Sequence, residues 1–205
     1  MINTVVFDLG NVLIGFDWEK TYREIFGFEG EKFERIANAT TRHNDWNLHD
    51  KGDFTEEEML DRFISNDPQD EEDIRHIFQD LSIIVNTYDY ASDWIKSLQR
   101  AGYKVYILSN YSEKSFNQAL EKGKLSFVKE ADGAVISYQE KLIKPDPAIY
   151  KVLFERYDVV PENAVFIDDR ADNIQAAIDC GMKGIVFKTK EQVIADLAEM
   201  GVKFL

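Results

Sequence analysis

An α/β fold, with a parallel sheet covered by helices on both faces and a helical cap inserted into it, is predicted by three observations. The chain of 205 residues opens on an apolar run, Thr4 to Phe7, that is followed by Asp8 and Gly10. From about residue 88 onward, short apolar strand patterns alternate with helix patterns. The intervening residues, 14 to about 85, are aromatic, charged and helix-periodic. Helices that alternate with short apolar strands are typical of a parallel sheet.

The first predicted strand covers residues 4 to 13 and begins with the run Thr4-Val5-Val6-Phe7. A continuous apolar run of this kind is typical of a parallel strand that is buried on both faces. The first charged residue after it, Asp8, is therefore expected at the carboxyl edge of the sheet. Open α/β folds place their ligand crevices at that edge.

Residues 15–85 are predicted to form the cap, and residues 1–14 together with 86–205 the core domain. Apolar side chains in the cap recur at the three- and four-residue spacing of amphipathic helices. The recurring residues are Tyr22, Ile25, Phe26, Phe33, Ile36, Ala37, Met59, Phe63 and Ile64. Thr55, which precedes three glutamates, is an N-cap signature for one of these helices.

The elements predicted after the cap alternate regularly along the chain. In order they are a helix over 90–102, a strand over 104–109, a helix over 113–122, a strand over 134–136, a helix over 147–157, a strand over 164–168, a helix over 171–180, a strand over 184–187 and a helix over 190–200. This order predicts a Rossmann-like core with right-handed crossover connections.

Composition limits the classes of partner and compartment. A formal net charge of −14 argues against a nucleic-acid partner, because an acidic field repels a phosphate backbone. No run approaches the roughly 18 apolar residues that span a membrane, so no membrane partner is predicted. The single cysteine, Cys180, can form no internal disulfide, and the chain enters its first strand without a signal sequence. A cytoplasmic location is expected, and the oligomeric state stays open.

Four polar motifs stand at the ends of predicted strands or before a predicted helix. They are Asp8-Leu9-Gly10-Asn11-Val12, Ser109-Asn110, Lys144-Pro145-Asp146-Pro147 and Asp168-Asp169, with Asp172-Asn173 just beyond. In this order they resemble the motifs of the haloacid dehalogenase-like superfamily of hydrolases, and the resemblance spans the whole chain. The first motif is also similar to a branch that includes bacterial α-glucose-1-phosphate phosphatases.

The resemblance implies a phosphatase that acts on a small phosphorylated metabolite, such as a sugar phosphate. Asp8 takes the role of the nucleophile, which attacks phosphorus and forms an aspartyl-phosphate. Lys144 takes the role of the lysine that holds the phosphate and the nucleophile together. Ser109 and Asn110 are expected to donate hydrogen bonds to phosphate oxygens.

Mg²⁺ is the cofactor that the resemblance implies, and an oxygen-rich carboxylate cluster suits this ion. Asp8, Asp169 and the backbone carbonyl of Gly10 are expected to bind it directly, and Asp168 through water. The residues expected to support these ligands from behind are Asp172 and Asn173.

One position departs from the family pattern. Most phosphatases of the family carry a second aspartate two residues after the nucleophile, which protonates the leaving oxygen and then activates water. Here that position is Gly10, and Asp17 is the predicted substitute. Specificity is expected to come from aromatic and imidazole side chains of the cap, although such residues are also typical of a helical core. The candidates are Trp18, His43, Trp46 and His49.

Three further functions stay open. A 2-haloacid dehalogenase uses an aspartate nucleophile without a metal, but the uncompensated pair Asp168-Asp169 disfavours a carboxylate substrate. A binding or regulatory protein with weak activity is compatible with Gly10. The costly cluster of Asp8, Lys144 and Asp169 argues against it. A phosphomutase is disfavoured by the missing acid–base aspartate.

Overall fold

The computed structural model describes residues 1–203 and contains a five-stranded sheet with the strand order β5-β4-β1-β6-β7. The strands of the described chain are β1 (Thr4–Phe7), β2 (Ile14–Phe16), β3 (Val85–Thr87), β4 (Lys104–Ser109), β5 (Gly133–Ile136), β6 (Ala164–Asp168) and β7 (Lys183–Val186). All neighbouring strands of the large sheet are parallel. The predicted α/β fold class is confirmed.

Helices connect the strands of the sheet and fill the segment between β2 and β3. In chain order they are α1 (Trp18–Lys20), which continues as a π-helical turn over Thr21–Ile25, α2 (Gly30–Ala39), α3 (Asp45–Lys51), α4 (Glu56–Asn66), α5 (Glu71–Ile77), α6 (Ala91–Arg100), α7 (Glu113–Glu121), α8 (Ser137–Glu140), α9 (Pro147–Tyr157), α10 (Ala171–Asp179) and α11 (Lys190–Glu199). The predicted start of α4 is confirmed, because Thr55 and Glu58 form a reciprocal capping box there.

Alternate residues of the central strand pack into apolar clusters on opposite faces of the sheet. Val5 and Phe7 of β1 belong to one cluster together with side chains of α6 and α11. Val6 belongs to the other, together with side chains of α9 and α10. Because side chains alternate along a strand, a fully apolar strand requires helices on both faces. The sheet is therefore held between two helical layers.

The first strand ends earlier than the sequence predicts. β1 stops at Phe7, and the chain turns around the carbonyl of Leu9, which accepts the N–H groups of Val12, Leu13 and Ile14 at 3.2, 2.9 and 3.0 Å. The prediction of one strand over residues 4 to 13 is wrong in this respect. Val12 and Leu13 are fully buried in the turn. A short apolar run predicts burial, but it does not distinguish a buried turn from a buried strand.

The segment of residues 15–85, called the cap segment below, begins within the short strand β2 and ends at the first residue of the short strand β3. These strands pair antiparallel, with Ile14 opposite Thr87 and Phe16 opposite Val85. The cap segment has an apolar cluster of its own, which includes Tyr22. Among residues 1–203, no helix combines the length and the apolar character needed to cross a lipid bilayer.

Candidate active site

Three of the predicted motifs meet at the carboxyl edge of the sheet. Asp8 follows β1, Ser109 ends β4 and Asp168 ends β6. Since β1 lies between β4 and β6, these residues are neighbours at the same edge. All three are buried, and burial of the two carboxylates, Asp8 and Asp168, calls for compensating partners.

Lys144 is the compensating cation. Its Nζ lies 2.8 Å from Asp8 Oδ1 and 2.6 Å from Asp168 Oδ2, and it donates a hydrogen bond of 3.0 Å to the carbonyl of Leu108. Burial alone would lower the pKa of this amine, but the two carboxylates outweigh burial and hold the pKa above its ordinary value. Lys144 is therefore charged at neutral pH and bridges the two motifs.

Asn110 positions the backbone of this lysine. The Lys144 N–H donates to Asn110 Oδ1 at 2.8 Å, and Asn110 Nδ2 donates to the Lys144 carbonyl at 3.0 Å. The peptide bond between Lys144 and Pro145 is cis. Asn110 also lines the cavity described below, so one amide hydrogen of Nδ2 is left to face a ligand.

The pKa of the Asp8 carboxyl lies above its ordinary value. Burial raises its pKa to about 6, although Lys144 opposes this effect; the charge of Asp168 adds to it, and hydrogen bonding to Ser109 opposes it. At neutral pH Asp8 is mostly ionised. An ionised carboxylate at the bottom of a cavity, with a fixed ammonium group beside it, is suited to attack an electrophile.

Asp168 holds other protein groups in place. Its Oδ1 accepts hydrogen bonds from the Arg170 N–H at 2.8 Å and from Asn173 Nδ2 at 3.0 Å. Its Oδ2 accepts hydrogen bonds from Lys144 Nζ at 2.6 Å and from the same amide of Asn173 at 3.0 Å. With both oxygens bound by protein donors, Asp168 orients Lys144. Asn173, a predicted supporting residue, contacts both oxygens of Asp168.

Asp172 accepts the backbone N–H of Asn173 at 3.0 Å, but its charged partner lies outside the acidic cluster. Its carboxylate binds the guanidinium group of Arg170 at 2.6 and 3.1 Å, and its side chain is 49% exposed. The prediction that Asp172 supports the cluster is not matched by its contacts. The reason is local, because the planar guanidinium two residues earlier offers two parallel hydrogen bonds on the solvent side.

Carboxylate oxygens of Asp8, Asp168 and Asp169 all lie within 4.8 Å of one another. Asp169 Oδ2 accepts one hydrogen bond, from Asn11 Nδ2 at 2.8 Å. Burial raises the pKa of Asp169, and the charge of Asp168 adds to this effect. Three carboxylates around one ammonium leave an excess of negative charge, and oxygen ligands of this kind could hold a hard divalent cation.

A cavity of about 450 Å³ opens above this cluster. Asp8, Lys144 and Asp169 form part of its lining on the sheet side. The cap segment supplies the opposite wall with Arg42, His43, Asn44, Trp46, Asn47 and Asp50. The volume is within the usual range for small-molecule sites, and the wall is rich in hydrogen-bonding groups.

Two of the four predicted specificity residues line this cavity and two do not. His43 and Trp46 are on the cap wall. The Trp18 ring instead stacks on Phe33, with centroids 6.0 Å apart and planes inclined by 6°. His49 is only 2% exposed within the cap segment and its Nε2 lies 3.2 Å from the Glu56 carboxylate. For Trp18 and His49 the prediction is wrong, because their helices turn them into the cap interior.

Asp17 lies at the base of the cap segment and not among the cavity-lining residues. Its Oδ2 accepts a hydrogen bond from Asn86 Nδ2 at 2.7 Å, and its N–H donates to the carbonyl of Ile84 at 2.8 Å. The prediction of Asp17 as the acid–base residue is therefore not matched by its position. The β2–β3 pairing brings this side chain next to Asn86 of β3.

Asp50 is a titratable cavity residue that the sequence analysis did not predict. It lies on α3, lines the cavity and faces the backbone N–H of Ser112. Burial raises its pKa to about 7, and the charge of Asp8 adds to this effect, against the influence of His49. The sequence spacing could have indicated this position, because Asn47 and Asp50 are three residues apart and lie on the same face of a helix.

This sheet, with a buried aspartate and lysine at its carboxyl edge and an acidic cluster beside them, defines a class of α/β hydrolases. The family model for haloacid dehalogenase-like hydrolase matches residues 2–181. The chain therefore belongs to the haloacid dehalogenase-like hydrolase family.

Several known proteins are similar to this chain in sequence or in structure. Phosphatase MT3486 of Mycobacterium tuberculosis is 28% identical over 216 residues, which cover 98% of this chain and 95% of that protein. Drimenol cyclase drtB of Aspergillus calidoustus is 24% identical over 216 residues; the chain is covered completely but spans only 39% of that protein. The magnesium complex of a haloacid dehalogenase family enzyme from Bacteroides thetaiotaomicron superposes with a TM-score of 0.74 at 23% identity, covering 98% of this chain and 99% of that one. The structural match supports the fold.

Proposed function

We propose that the protein is a Mg²⁺-dependent phosphatase that hydrolyses a small phosphorylated metabolite through a phosphorylated Asp8. The observation that carries this proposal is the placement of Lys144 Nζ between Asp8 and Asp168, at 2.8 and 2.6 Å, beneath a cavity of small-molecule size. A related phosphatase of almost the same length supports it. A cytoplasmic location is part of the same proposal.

Each residue of the sheet edge has a role in this reaction. An Asp8 oxygen attacks phosphorus, and the bond from phosphorus to the leaving oxygen breaks. Lys144 neutralises charge on the transferring group and keeps Asp8 ionised. Asn110, which lines the cavity, and Ser109 would donate hydrogen bonds to phosphate oxygens. Water then releases inorganic phosphate from Asp8.

The acidic cluster fits Mg²⁺. Asp8, Asp169 and the Gly10 carbonyl would hold the ion, since Asp169 has one of its oxygens free of the Asn11 amide. Asp168 would act through water, because its own oxygens already accept protein donors. When bound, the ion supplies positive charge for the phosphate oxygens.

A sugar phosphate is the substrate class that the cavity wall supports best. Asn44 and Asn47 offer amide groups to hydroxyls, and Trp46 offers an aromatic face. In this arrangement, residues 15–85 act as the cap over a core of residues 1–14 and 86–205. No nucleic-acid or membrane partner is part of the proposal.

The test is phosphate release from an aryl phosphate and a panel of sugar phosphates, with Mg²⁺ or with EDTA. Wild type, Asp8→Asn and the control Asp53→Asn are compared; Asp53 is a cap-segment residue paired with Lys51. Metal-dependent release in wild type and in the control, but not in Asp8→Asn, supports the proposal. Halide release from a 2-haloacid, with no phosphate release, would replace it with the dehalogenase function. Absence of both activities would favour a binding protein.

A further inference from the structure

Gly10 leaves the proposed reaction without its usual proton donor. An alkoxide leaving group needs a proton as the bond to phosphorus breaks, and the phosphorylated Asp8 needs a base that activates water. A group that meets both needs must reach the cavity above Asp8. Within residues 1–203, the acidic side chains that line this cavity are those of Asp8, Asp50 and Asp169. Asp8 is the nucleophile and Asp169 belongs to the metal cluster, so the cap wall holds the remaining carboxyl group.

We propose that Asp50, on α3 of the cap segment, is the general acid and general base of this reaction. The inference rests on the proposed phosphatase function and deepens it. It assigns both proton transfers to a residue in the cavity wall opposite Asp8. In most phosphatases of the family, a residue of the first motif makes these transfers.

The backbone around Asp50 is attached to the sheet side of the cavity. Its carbonyl accepts a hydrogen bond from Ser137 Oγ at 2.5 Å, and Ser137 Oγ in turn accepts the Tyr111 N–H at 2.8 Å. Two residues later, the carbonyl of Gly52 accepts a hydrogen bond from Lys141 Nζ. These contacts hold the end of α3 against the loop after β4 and the helix after β5. Asp50 is therefore positioned by both sides of the cavity.

The electrostatic surroundings of Asp50 suit a group that alternates between two protonation states. Burial raises the pKa of its carboxyl to about 7; Asp8 raises the pKa further, and His49, Lys144 and the Ser112 N–H oppose these effects. Burial raises the pKa of the Tyr111 phenol, and the charge of Asp50 adds to this effect. A group with a pKa near the working pH is the most effective acid–base catalyst.

The two steps balance as follows. In the first, an Asp8 oxygen bonds to phosphorus, the bond to the alcohol oxygen breaks, and that oxygen takes its proton from the Asp50 carboxyl. In the second, the Asp50 carboxylate removes a proton from water as the water oxygen bonds to phosphorus. The bond from phosphorus to Asp8 then breaks and inorganic phosphate leaves. Asp8 is again a carboxylate and Asp50 is again protonated.

The test compares Asp50→Asn with the matched cap variant Asp53→Asn, after wild type and Asp8→Asn have established phosphatase activity. Substrates are p-nitrophenyl phosphate, whose leaving group needs little protonation, and the phosphate ester of a sugar primary alcohol. We expect Asp50→Asn to lower turnover of the sugar phosphate by about 10²- to 10⁴-fold. In single turnover, transfer of phosphate to Asp8 should slow far less for p-nitrophenyl phosphate than for the sugar phosphate.

A second readout is the phosphorylated chain itself. With p-nitrophenyl phosphate, Asp50→Asn should accumulate phosphorylated Asp8, seen as added mass on the acid-quenched protein, because the base for the second step is missing. Asp53→Asn should not accumulate it. If Asp50→Asn is poorly folded by circular dichroism, Asp50→Ala is used with added formate, which should restore turnover.

Several results would overturn the inference. If Asp50→Asn behaves as Asp53→Asn does with both substrates, Asp50 has no acid–base role while the phosphatase function stands. Equal slowing of phosphate transfer from both substrates, without phosphorylated protein, would show that Asp50 only shapes the cavity. If wild type releases no phosphate from any substrate, the proposed function fails and the inference fails with it.

Discussion

Lys144 Nζ lies 2.6 Å from Asp168 Oδ2 and 2.8 Å from Asp8 Oδ1, so one buried cation bridges two buried carboxylates. Asp168 is fully buried and both of its oxygens accept protein donors, whereas Asp8 lines the cavity. The two carboxylates are therefore not equivalent. Asp168 orients the side chain of Lys144. The positive charge of Lys144 then faces Asp8 and any ligand that binds above Asp8.

Removal of this cation should destabilise the fold as well as abolish activity. Lys144→Met leaves two buried carboxylates without a counter-ion, and we expect a loss of about 3–5 kcal/mol in the free energy of unfolding near neutral pH. The loss should shrink as pH falls, because Asp8, whose pKa is about 6 even with the lysine present, then becomes neutral. Urea unfolding at several pH values measures it.

The control for this measurement is Lys129→Met, at an exposed site, which should leave the free energy of unfolding almost unchanged at every pH. If the two variants lost equal stability, or if the loss in Lys144→Met were the same in acid, the charge-bridging role of Lys144 would be wrong.

The sheet and its polar edge could be predicted because both follow from local patterns. Apolar runs identify the strands, and parallel strands bring the residues at their carboxyl ends, Asp8, Ser109 and Asp168, to one edge. The face of the cap that covers this edge could not be predicted. Helix periodicity shows which side chains share a face, but the buried positions of Trp18 and His49 and the cavity position of Asp50 depend on packing between distant segments.

Substitution of Asp169 and of Asp172 should affect the Mg²⁺ requirement differently. We expect Asp169→Asn to raise the Mg²⁺ concentration for half-maximal phosphate release by tenfold or more, at about 1.4 kcal/mol for each factor of ten. Asp172→Asn should have little effect, since that carboxylate binds Arg170 and is 49% exposed. Metal titrations of both variants and of wild type test this, and equal behaviour of the two variants would contradict it.

Trp46 and Trp18 should respond differently to truncation. Trp46 lines the cavity, so Trp46→Ala should raise KM for sugar phosphates with a smaller effect on an aryl phosphate. Trp18 stacks on Phe33 within the cap segment, and Trp18→Ala should lower the free energy of unfolding by about 2–3 kcal/mol. Steady-state kinetics and urea unfolding of both variants give the comparison. A KM change in Trp18→Ala without lost stability would reverse these assignments.

The ionisation of Asp50 should be visible in stability. Because burial raises its pKa to about 7, the folded state binds a proton there that the unfolded chain has released above about pH 4. The free energy of unfolding should therefore fall as pH rises from about 4 through 7, since the charged form is disfavoured in the fold. Asp50→Asn removes this cost, and we expect it to be more stable than wild type by about 1–3 kcal/mol near pH 8, with the difference disappearing toward pH 4.

The matched variant Asp53→Asn, at an exposed position, should follow the wild-type stability curve. A constant difference between Asp50→Asn and wild type at all pH values would mean that Asp50 titrates as an ordinary carboxyl group, and its raised pKa would have to be abandoned.

The backbone at Gly10 has room for a β-carbon. A Cβ placed on Gly10 would lie 3.8 Å from Asp8 Oδ2, an ordinary van der Waals distance, and no closer atom would obstruct it. If Asp50 is the acid and base, Gly10→Asp should restore sugar phosphate turnover to Asp50→Asn, because a carboxyl group again reaches the leaving oxygen. Gly10→Asn in the same background, which adds a side chain of equal size without an acidic proton, should not. Rescue by both substitutions would show that the added side chain restores packing. Rescue by neither would show that a carboxyl group at position 10 cannot replace the one at position 50.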